Sequence, residues 1–363
     1  MTGVDAEALR AEFPVCARRA YLNAGTCGPV PRASVAALRE VADQAIAEGR
    51  GSDYYERLIA VRDRLRAAYA GVLGAEATDV AITTSTSDGI ARVLLGLDLA
   101  AGDEILIAEH EHPGLLGPLI AARERLGVTV REVALADLPA SVGPATRLIA
   151  CSHVAWTTGE VLGDLAGLPE DLPVLLDGAQ GLGAVAIKIG RLGCAFYAGS
   201  GQKWMCGPVG TGTLWISPAW RDRLVAASPG YMNLEEPGLG LAARAWSNAR
   251  AHDTMAISLE AAAPALAAHD TLAAFGWDHV HARARELAAQ AAAELAEAGR
   301  EVAPRGPSTL VSWRSDDPAG EAARLVEVGV LVRSFAGLPY VRASIGAWND
   351  ESDVQRLVSA AAI

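Results

Sequence analysis

The sequence predicts an α/β protein whose larger part is a doubly wound, mostly parallel sheet. Short apolar runs of strand length recur along the first two thirds of the chain. Segments of ten to twenty residues with apolar side chains three and four apart separate them, which is typical of amphipathic helices. One apolar run, at 173–177, ends in an acidic residue followed by glycine, as strands do at the ligand-binding edge of open α/β sheets.

The elements follow this alternation in order. A strand begins at Ala20, and two amphipathic helices are predicted at 34–48 and 54–73. A β-branched strand that runs into a cluster of hydroxyls is predicted at 80–88, followed by a helix at 89–97. Further strands are predicted at 104–108, 128–133, 147–152, 173–177 and 194–198. An alanine-rich helical stretch at 256–298 follows, and then strands at 309–312, 329–333 and 340–345 with a helix between the first two and a last helix from 351. We therefore predict a large domain at 15–255 and a smaller C-terminal α/β domain at 256–363, on which residues 1–14 could pack.

Composition excludes several functions. The chain has 363 residues, of which 51% are hydrophobic, so it can bury a large core. It carries 31 basic and 43 acidic residues, a net charge of −12, which disfavours nucleic acid as a partner. We expect a cytoplasmic protein without a membrane partner, because no signal peptide and no apolar stretch of about 18 residues is seen. Five cysteines without C-x-x-C spacing read as reduced thiols.

Lys203 is the first candidate catalytic residue. It lies among small residues, with a Gly-Pro turn behind it and an apolar strand on each side. Desolvation in such a turn would lower the pKa of the amine and free it for nucleophilic attack. The chemistry that this favours is a Schiff base with an aldehyde cofactor, although a lysine in a surface turn is the alternative.

Asp177 strengthens the interpretation of Lys203. A carboxylate at the carboxyl end of a buried strand points into the crevice where open α/β sheets bind ligands. In a pyridoxal phosphate enzyme, this carboxylate would pair with the protonated ring nitrogen and maintain the ring as an electron sink. The two residues together predict a pyridoxal phosphate site.

Two further segments carry candidate ligands. The hydroxyl cluster at 83–87 precedes a helix, where backbone N–H groups and the helix dipole would hold a phosphate, although these residues also serve as ordinary N-caps. His110 and His112 alternate with Glu109 and Glu111, which suggests a metal site, but no third cluster of ligands accompanies them. We predict no metal and interpret His110 as a surface residue.

The sequence resembles the class V aminotransferase family of fold-type I pyridoxal phosphate enzymes. The resemblance is carried by Asp177-Gly178-Ala179-Gln180 and by Ser200-Gly201-Gln202-Lys203 followed by Gly207-Pro208. The family includes cysteine desulfurases, C–S lyases and isopenicillin N epimerase, and it implies a homodimer with an amino acid as substrate. It also implies a set of cofactor ligands, namely Thr86, Ser87, His112, Asp177, Gln180, Ser200, Gln202, Lys203 and, across a dimer interface, Thr254.

The resemblance assigns the substrate to two other residues. Arg342, in the segment Tyr340-Val341-Arg342-Ala343-Ser344, would bind the α-carboxylate, because a planar guanidinium suits a carboxylate. The backbone around Asn23 would lie across the mouth of the site. Desulfurases have an asparagine where this chain has Ala155, Trp156 and Thr157, and Thr157 or Thr158 could replace its hydrogen bond.

The reaction is left open at this stage. A persulfide-forming desulfurase needs a cysteine in the connection 335–339, and this chain has none there. The residues around Lys203 resemble the corresponding residues of the C–S lyases, so we predict β-elimination from a cysteine-type substrate. Racemisation like that of isopenicillin N epimerase, transamination, and a non-catalytic protein of the same fold are the alternatives.

Overall fold

A computed structural model describes residues 5–165, 167–255 and 257–362, and a large sheet forms its centre. At residues 1–4, Ala166, Ala256 and Ile363, the predictions lie outside the described residues. Within the described part, seven strands form this sheet, in the spatial order β2-β8-β7-β6-β5-β3-β4. Their bounds are β2 Val80–Thr83, β3 Glu104–Ala108, β4 Thr129–Val133, β5 Thr146–Ser152, β6 Val174–Asp177, β7 Phe196–Ser200 and β8 Gly212–Ile216.

Strand direction explains where a site can form. The neighbours from β4 to β7 are parallel, whereas β8 is antiparallel to both β7 and β2. The carboxyl ends of β2, β3, β5, β6 and β7 therefore meet at one edge of the sheet. This is the edge where open α/β sheets bind ligands.

Helices cover both faces of the sheet. One face packs against α3 (Ser52–Leu73) and α6 (Leu259–Ala273) around Leu65, Tyr69 and Leu266, with α2 (Arg32–Glu48) lying outside them. The other face packs against α4 (Thr86–Gly96) and α5 (Pro113–Leu126) through Ile90 and Leu119. Because alternate residues of each strand point to opposite faces, the central strands β6, β7 and β8 are buried on both sides, whereas the edge strand β4 is largely exposed.

The C-terminal part forms a smaller layer of helices on sheet. Its antiparallel strands have the spatial order β11-β12-β9, and its core holds Leu287, Trp313, Leu325 and Leu357. A short parallel pair, β1 with β10, adjoins it. The bounds are α1 Ala6–Ala11, β1 Ala20–Tyr21, α7 Trp277–Glu297, β9 Leu310–Arg314, α8 Pro318–Glu327, β10 Val330–Leu331, β11 Arg333–Ser334, β12 Tyr340–Ser344 and α9 Glu351–Ala361.

The predicted mostly parallel sheet with flanking helices is confirmed, although no α-helix of the described residues lies between β4 and β8. The elements differ from the prediction at four places. The strand predicted at 329–333 forms two short strands, β10 and β11, which belong to different sheets. The helix predicted from residue 89 begins at Thr86, because Ser85 caps it by accepting the N–H of Asp88. The strand predicted at 194–198 lies two residues later. The alanine-rich stretch forms two helices, α6 and α7, which separate at Gly276 in a left-handed conformation with φ of 80°.

The division into two domains stays a prediction. Strand β1 lies inside the predicted large domain, yet Ala20 pairs with Val330 of the C-terminal part. In the other direction, α6 lies beyond residue 256 and packs on α2 and α3. Near the N-terminus, Arg10 forms an ion pair with Asp353 of α9 at 2.6 Å. Contacts therefore cross the predicted boundary in both directions.

Candidate active site

A cavity of about 300 Å³ lies at the carboxyl edge of the large sheet. Most of the residues predicted for the site line it, although they come from positions between 86 and 342. They are Thr86, Ser87, His112, Asp177, Gln180, Ser200, Gln202, Lys203 and Arg342. Asn23 and Thr254 are not among its lining residues.

Lys203 lies in a tight turn between β7 and β8. Gly201 donates its N–H to the carbonyl of Thr211 at 2.8 Å, and Gly207 donates to the carbonyl of Gly201 at 2.9 Å, so the turn is closed on itself. Cys206 has φ of 55°, a left-handed conformation that is uncommon outside glycine. The fold thus fixes the backbone of the lysine, and its side chain is 9% exposed.

Burial sets the charge state of this lysine. Burial, together with the charges of Arg342 and Arg333, lowers the pKa of Lys203 to about 8, although the charge of Asp177 opposes this shift. An appreciable fraction of the amine is therefore neutral near pH 8. A neutral amine can attack an aldehyde or accept a proton.

Asp177 ends β6, is 4% exposed and lines the cavity. Burial raises the pKa of its carboxyl, whereas Lys203 and the N–H of Ala179, which donates to its Oδ1 at 2.8 Å, favour the charged form. The carboxylate therefore has room for a cationic partner in the cavity. A protonated pyridine nitrogen is such a partner.

The N-terminus of α4 forms a cradle for an anion. The hydroxyls of Thr86 and Ser200 lie 2.7 Å apart at the end of the cavity, beside the first turn of the helix. Gln202 lines the same cavity, and the N–H groups of its amide can donate to a ligand there. Hydroxyls, an amide and a helix N-terminus are the donors that a phosphate needs, and these residues fit that group.

Gln180 is held in a single orientation. Its Nε2 donates to the carbonyl of Gly25 at 2.8 Å, and its Oε1 accepts the indole N–H of Trp204 at 3.1 Å. An indole can only donate and a carbonyl can only accept, so the amide cannot be reversed. One N–H of Gln180 remains for a ligand oxygen.

His112 caps α5 and lines the cavity as a neutral imidazole. Its Nδ1 accepts the N–H of Gly114 at 2.9 Å, which places the ring proton on Nε2. Burial, together with the charges of Lys203, Arg333 and Arg342, lowers the pKa of His112 to about 4. His110 is exposed, in agreement with the prediction.

Arg342 is buried in β12, and a second arginine that we did not predict stands beside it. The Nη1 of Arg342 donates to the carbonyl of Trp156, and its buried Nε has no partner among the described residues. Arg333 lines the same cavity and donates to Thr26 Oγ1 at 3.1 Å. Within the described part of the chain, neither guanidinium pairs with a carboxylate, so the cavity has an excess of positive charge that suits anionic ligands.

Two glycines of the loop after β1 lie very close to the guanidinium of Arg342 and to the backbone of Lys203. A Cβ at Gly25 would lie 2.6 Å from Nη2 of Arg342, and a Cβ at Gly28 would lie 2.1 Å from the carbonyl oxygen of Lys203. Both positions therefore require glycine. The loop that contains them follows β1 and packs against the site, as the prediction for the segment around Asn23 implied.

Trp156, and not Thr157 or Thr158, faces the cavity in this segment. Trp156 lines the cavity, whereas Thr157 and Thr158 line a neighbouring one. The Oγ1 of Thr158 accepts the N–H of Glu160 at 3.2 Å. The suggestion that Thr157 or Thr158 faces the cofactor is wrong, because the backbone turns the indole inward instead.

Glu111 was also missed, since it stood in the dismissed histidine–glutamate segment. It is 5% exposed, and its carboxyl bonds the N–H of Ser152 at 2.7 Å and the hydroxyl of Ser152 at 2.5 Å. Burial, with a contribution from the charge of Asp177, raises the pKa of Glu111 to about 7. A second acid thus lies behind Asp177.

Asn23 and Thr254 hold other positions. The Oδ1 of Asn23 accepts the hydroxyl of Thr26 at 2.8 Å. Thr254 is buried, and its N–H donates to the carbonyl of Ile82 at 2.7 Å, along the edge of β2. In a single chain Thr254 is outside the cavity, so the predicted contact with a phosphate across a dimer interface stays a prediction.

Two negative findings concern the described residues only. They contain no group of three or more histidine, cysteine, aspartate or glutamate side chains that could hold a metal ion. They also contain no helix of the length and apolar character that crossing a membrane requires.

The doubly wound sheet, the anion cradle and the buried lysine–aspartate pair define the chain as a fold-type I pyridoxal phosphate enzyme. The family model for class V aminotransferases matches residues 20–357. The chain belongs to the class V aminotransferase family. The cofactor of this fold is pyridoxal phosphate, which the residues of the cavity fit.

Relatives in the family differ in their reactions. The chain is 31% identical to isopenicillin N epimerase from Amycolatopsis lactamdurans over 93% of both chains. It is 30% identical to isopenicillin N epimerase from Streptomyces clavuligerus, but the match covers 56% of this chain and about half, 54%, of that protein. The family is thus shown by sequence, and the reaction is not.

Solved structures add a second activity, that of a C–S lyase. The chain is similar to the cystine C–S lyase C-DES in complex with its product cysteine persulfide, with a TM-score of 0.89, 25% identity and coverage of 96% of this chain and 99% of that one. A C-DES variant with glycine covalently linked to the pyridoxal phosphate cofactor gives a TM-score of 0.91, with 26% identity over 97% and 98% of the two chains.

Proposed function

We propose that this protein is a pyridoxal phosphate-dependent lyase that cleaves the carbon–sulfur bond of a cysteine-type amino acid by β-elimination. The observation that carries the proposal is that the cavity offers one proton-transferring base, Lys203. Elimination needs one such base, whereas epimerisation by two bases needs a second on the other side of Cα. The likeness to the cystine C–S lyase C-DES supports the same reaction.

The proposed cofactor ligands follow from the geometry. Thr86, Ser87, Ser200 and Gln202 would hold the phosphate at the N-terminus of α4, and Asp177 would face the ring nitrogen. Gln180 would donate to the phenolic oxygen, and His112 would lie on the ring. When bound, pyridoxal phosphate supplies an electron sink for the electron pair left at Cα.

His112 is poorly suited to be the second base. Its Nδ1 lone pair is occupied by the N–H of Gly114, and its Nε2 carries the proton. A pKa of about 4 means that it stays neutral near pH 7 and does not accept a second proton. Among the described residues that line the cavity, the remaining ionisable groups are Asp177 and two arginines, which have other partners in the proposal.

The cysteines of the chain also limit the reaction. Four of them, Cys16, Cys151, Cys194 and Cys206, are buried, and burial raises the pKa of each thiol. None of the described residues that line the cavity is a cysteine, and the connection 335–339 has none. A persulfide relayed through a cysteine of the enzyme is therefore disfavoured, because a thiolate is the nucleophile that such a relay needs.

In the proposed elimination, Arg342 and Lys203 have separate roles. Arg342 binds the α-carboxylate, and Lys203 takes the proton from Cα. The bond between Cβ and sulfur breaks, sulfur leaves with the bonding pair, and the ammonium of Lys203 returns a proton to it. Water hydrolyses the released 2-aminoacrylate, so one substrate and one water give pyruvate, ammonia and a thiol, or a persulfide when the substrate is a disulfide.

Arg333 bears on which substrate is taken. With Arg342 assigned to the α-carboxylate, Arg333 still faces the cavity without a carboxylate partner among the described residues. A substrate with a second carboxylate at the end of its side chain would form an ion pair with the guanidinium of Arg333. We therefore place cystine and S-carboxyalkyl cysteines first among the substrates to be tested.

Epimerisation is the second candidate, because the match to the Amycolatopsis lactamdurans epimerase covers 93% of both chains. One experiment separates the two. The purified enzyme is incubated with L-cystine and with S-substituted L-cysteines, and pyruvate and ammonia are measured in equal amounts if the lyase proposal is right. If no pyruvate forms while an L-amino acid exchanges its Cα deuterium with inversion, the lyase proposal is wrong.

We also propose a cytoplasmic homodimer. The support for a dimer is that Thr254, predicted to reach a phosphate, lies on the edge of β2 and outside the cavity of its own chain. Light scattering coupled to size-exclusion chromatography tests this. A monomer that retains full cofactor affinity would contradict it.

A further inference from the structure

Trp156 presents an apolar ring to the cavity at the place where the resembling desulfurases have an asparagine. Its indole N–H donates to the carbonyl oxygen of His110 at 2.7 Å. His110 does not line the cavity, so the single polar atom of the side chain is engaged outside it. Trp156 therefore offers packing surface, and no hydrogen bond, to a ligand.

The ring of Trp156 lies between two other rings. Its centroid is 4.8 Å from that of His112 at an interplanar angle of 89°, and 4.6 Å from that of Phe335 at 72°. Such edge-to-face pairs are favourable arrangements of aromatic rings. We call the three rings the aromatic row. His112 and Trp156 line the cavity, and Phe335, in the connection 335–339, packs against the indole of Trp156.

A strained residue supports the row. His110 has φ of 60°, in the left-handed region that side chains other than glycine rarely adopt. This conformation directs its carbonyl to the indole of Trp156. Strain of this kind persists where the surrounding structure requires it.

The backbone of Trp156 also meets the group proposed to bind the α-carboxylate. Its carbonyl oxygen accepts a hydrogen bond from Nη1 of Arg342. The guanidinium of Arg342 also lies 5.0 Å from the ring centroid of Phe335. An amino acid with its carboxylate on Arg342 and its amine towards Lys203 thus has its side chain beside the aromatic row.

We propose that Trp156 is a specificity-determining residue, whose indole, with Phe335, packs against the substrate's side chain and selects an unbranched thioether chain over a methyl group. Sulfur makes favourable contacts with aromatic rings, and each buried methylene adds to affinity. The inference rests on the proposed function only in taking an L-amino acid as the ligand.

The test measures binding and not turnover. The holoenzyme is titrated with L-methionine and with L-alanine, and the two dissociation constants are read from the change in cofactor absorbance. We expect the wild-type enzyme to bind methionine about tenfold more tightly than alanine, and Trp156→Ala to reduce this ratio to about twofold or less. Trp156→Phe retains most of the ratio, because the wall stays aromatic.

Controls separate selectivity from loss of fold. Trp246→Ala removes a tryptophan that lies outside the cavity, against Arg250, and retains the wild-type ratio. The dissociation constant of pyridoxal phosphate and the midpoint of thermal unfolding are measured for each variant. If Trp156→Ala does not fold, Trp156→Leu replaces it, because this variant fills part of the space without an aromatic ring and should give a clearly smaller ratio than Trp156→Phe.

Three outcomes overturn the inference. They are equal affinities in the wild-type enzyme, an unchanged ratio in Trp156→Ala, and a parallel loss of affinity for both amino acids, which would mean that Trp156 acts only by holding Arg342. The result does not depend on the reaction. Absence of pyruvate would overturn the lyase proposal alone, and an unchanged binding ratio would overturn this inference alone.

Discussion

Replacing Glu111 by glutamine should change how the stability of the protein depends on pH. In the unfolded chain a glutamate titrates near its ordinary pKa of 4.5, whereas burial raises the pKa of Glu111 in the folded protein to about 7. Below pH 4.5 the carboxyl is protonated in both states, so its burial does not make the free energy of unfolding depend on pH. Between the two values the unfolded state loses its proton first, so the folded state becomes less stable as the pH rises.

The magnitude follows from the two pKa values. Their difference is about 2.5 pH units, and each unit corresponds to about 1.4 kcal/mol, so folding loses about 3 kcal/mol between pH 4.5 and pH 8 through this one group. Glutamine cannot titrate, and its amide can donate to the hydroxyl of Ser152 as a protonated carboxyl would. Relative to wild type, Glu111→Gln should therefore gain stability as the pH rises.

Urea unfolding followed by tryptophan fluorescence, at several pH values between 5 and 8, measures this difference. The difference in unfolding free energy between variant and wild type should shift by a few kcal/mol in favour of the variant over that range. Glu132→Gln, on the largely exposed edge strand β4, is the matched control and should show no such shift. Parallel curves for Glu111→Gln and wild type would refute the reasoning.

Three further predictions concern the cofactor and the substrate. Lys203→Ala should abolish both turnover and the visible absorbance band of the bound cofactor, and a variant with normal turnover would refute the assignment. Arg342→Ala should raise KM strongly at unchanged cofactor content, as determined by steady-state kinetics and cofactor release, whereas loss of cofactor would mean a structural role. Uptake of pyridoxal phosphate by the apoprotein should become faster as the pH rises through about 8, because only the neutral amine of Lys203 attacks an aldehyde, and a rate that is independent of pH between 6.5 and 9 would contradict this.

Most of the fold could be predicted because its strands and helices are marked by local patterns. Strand Glu104–Ala108 and helix Ser52–Leu73 carry the apolar spacing of their type, and both lie within two residues of the prediction. The pairing of β1 with β10 joins residues some three hundred positions apart. No local pattern marks such a pair, so the sequence could not reveal that the N-terminal strand completes the C-terminal part.

Some residues of the candidate site could likewise be predicted from local motifs, and others could not. Lys203, Asp177 and Gln180 lie in short motifs with unusual composition, and these motifs predicted the cavity. Arg333 and Trp156 became visible only in three dimensions, because an isolated arginine or tryptophan has many ordinary explanations. Arg333 could have been suspected, since it lies nine residues before Arg342 on the neighbouring antiparallel strand, directly opposite it.

The glycine loop after β1 has a consequence for how the enzyme can evolve. With no side chain at Gly25 or Gly28, the backbone of this loop packs directly against the guanidinium of Arg342 and against the backbone of the turn that carries Lys203. Any larger residue at either point would have to displace one of these neighbours. The position of the guanidinium that we propose for the substrate carboxylate therefore depends on this loop, while the neighbouring rings remain free to change with the side chain that is to be accepted.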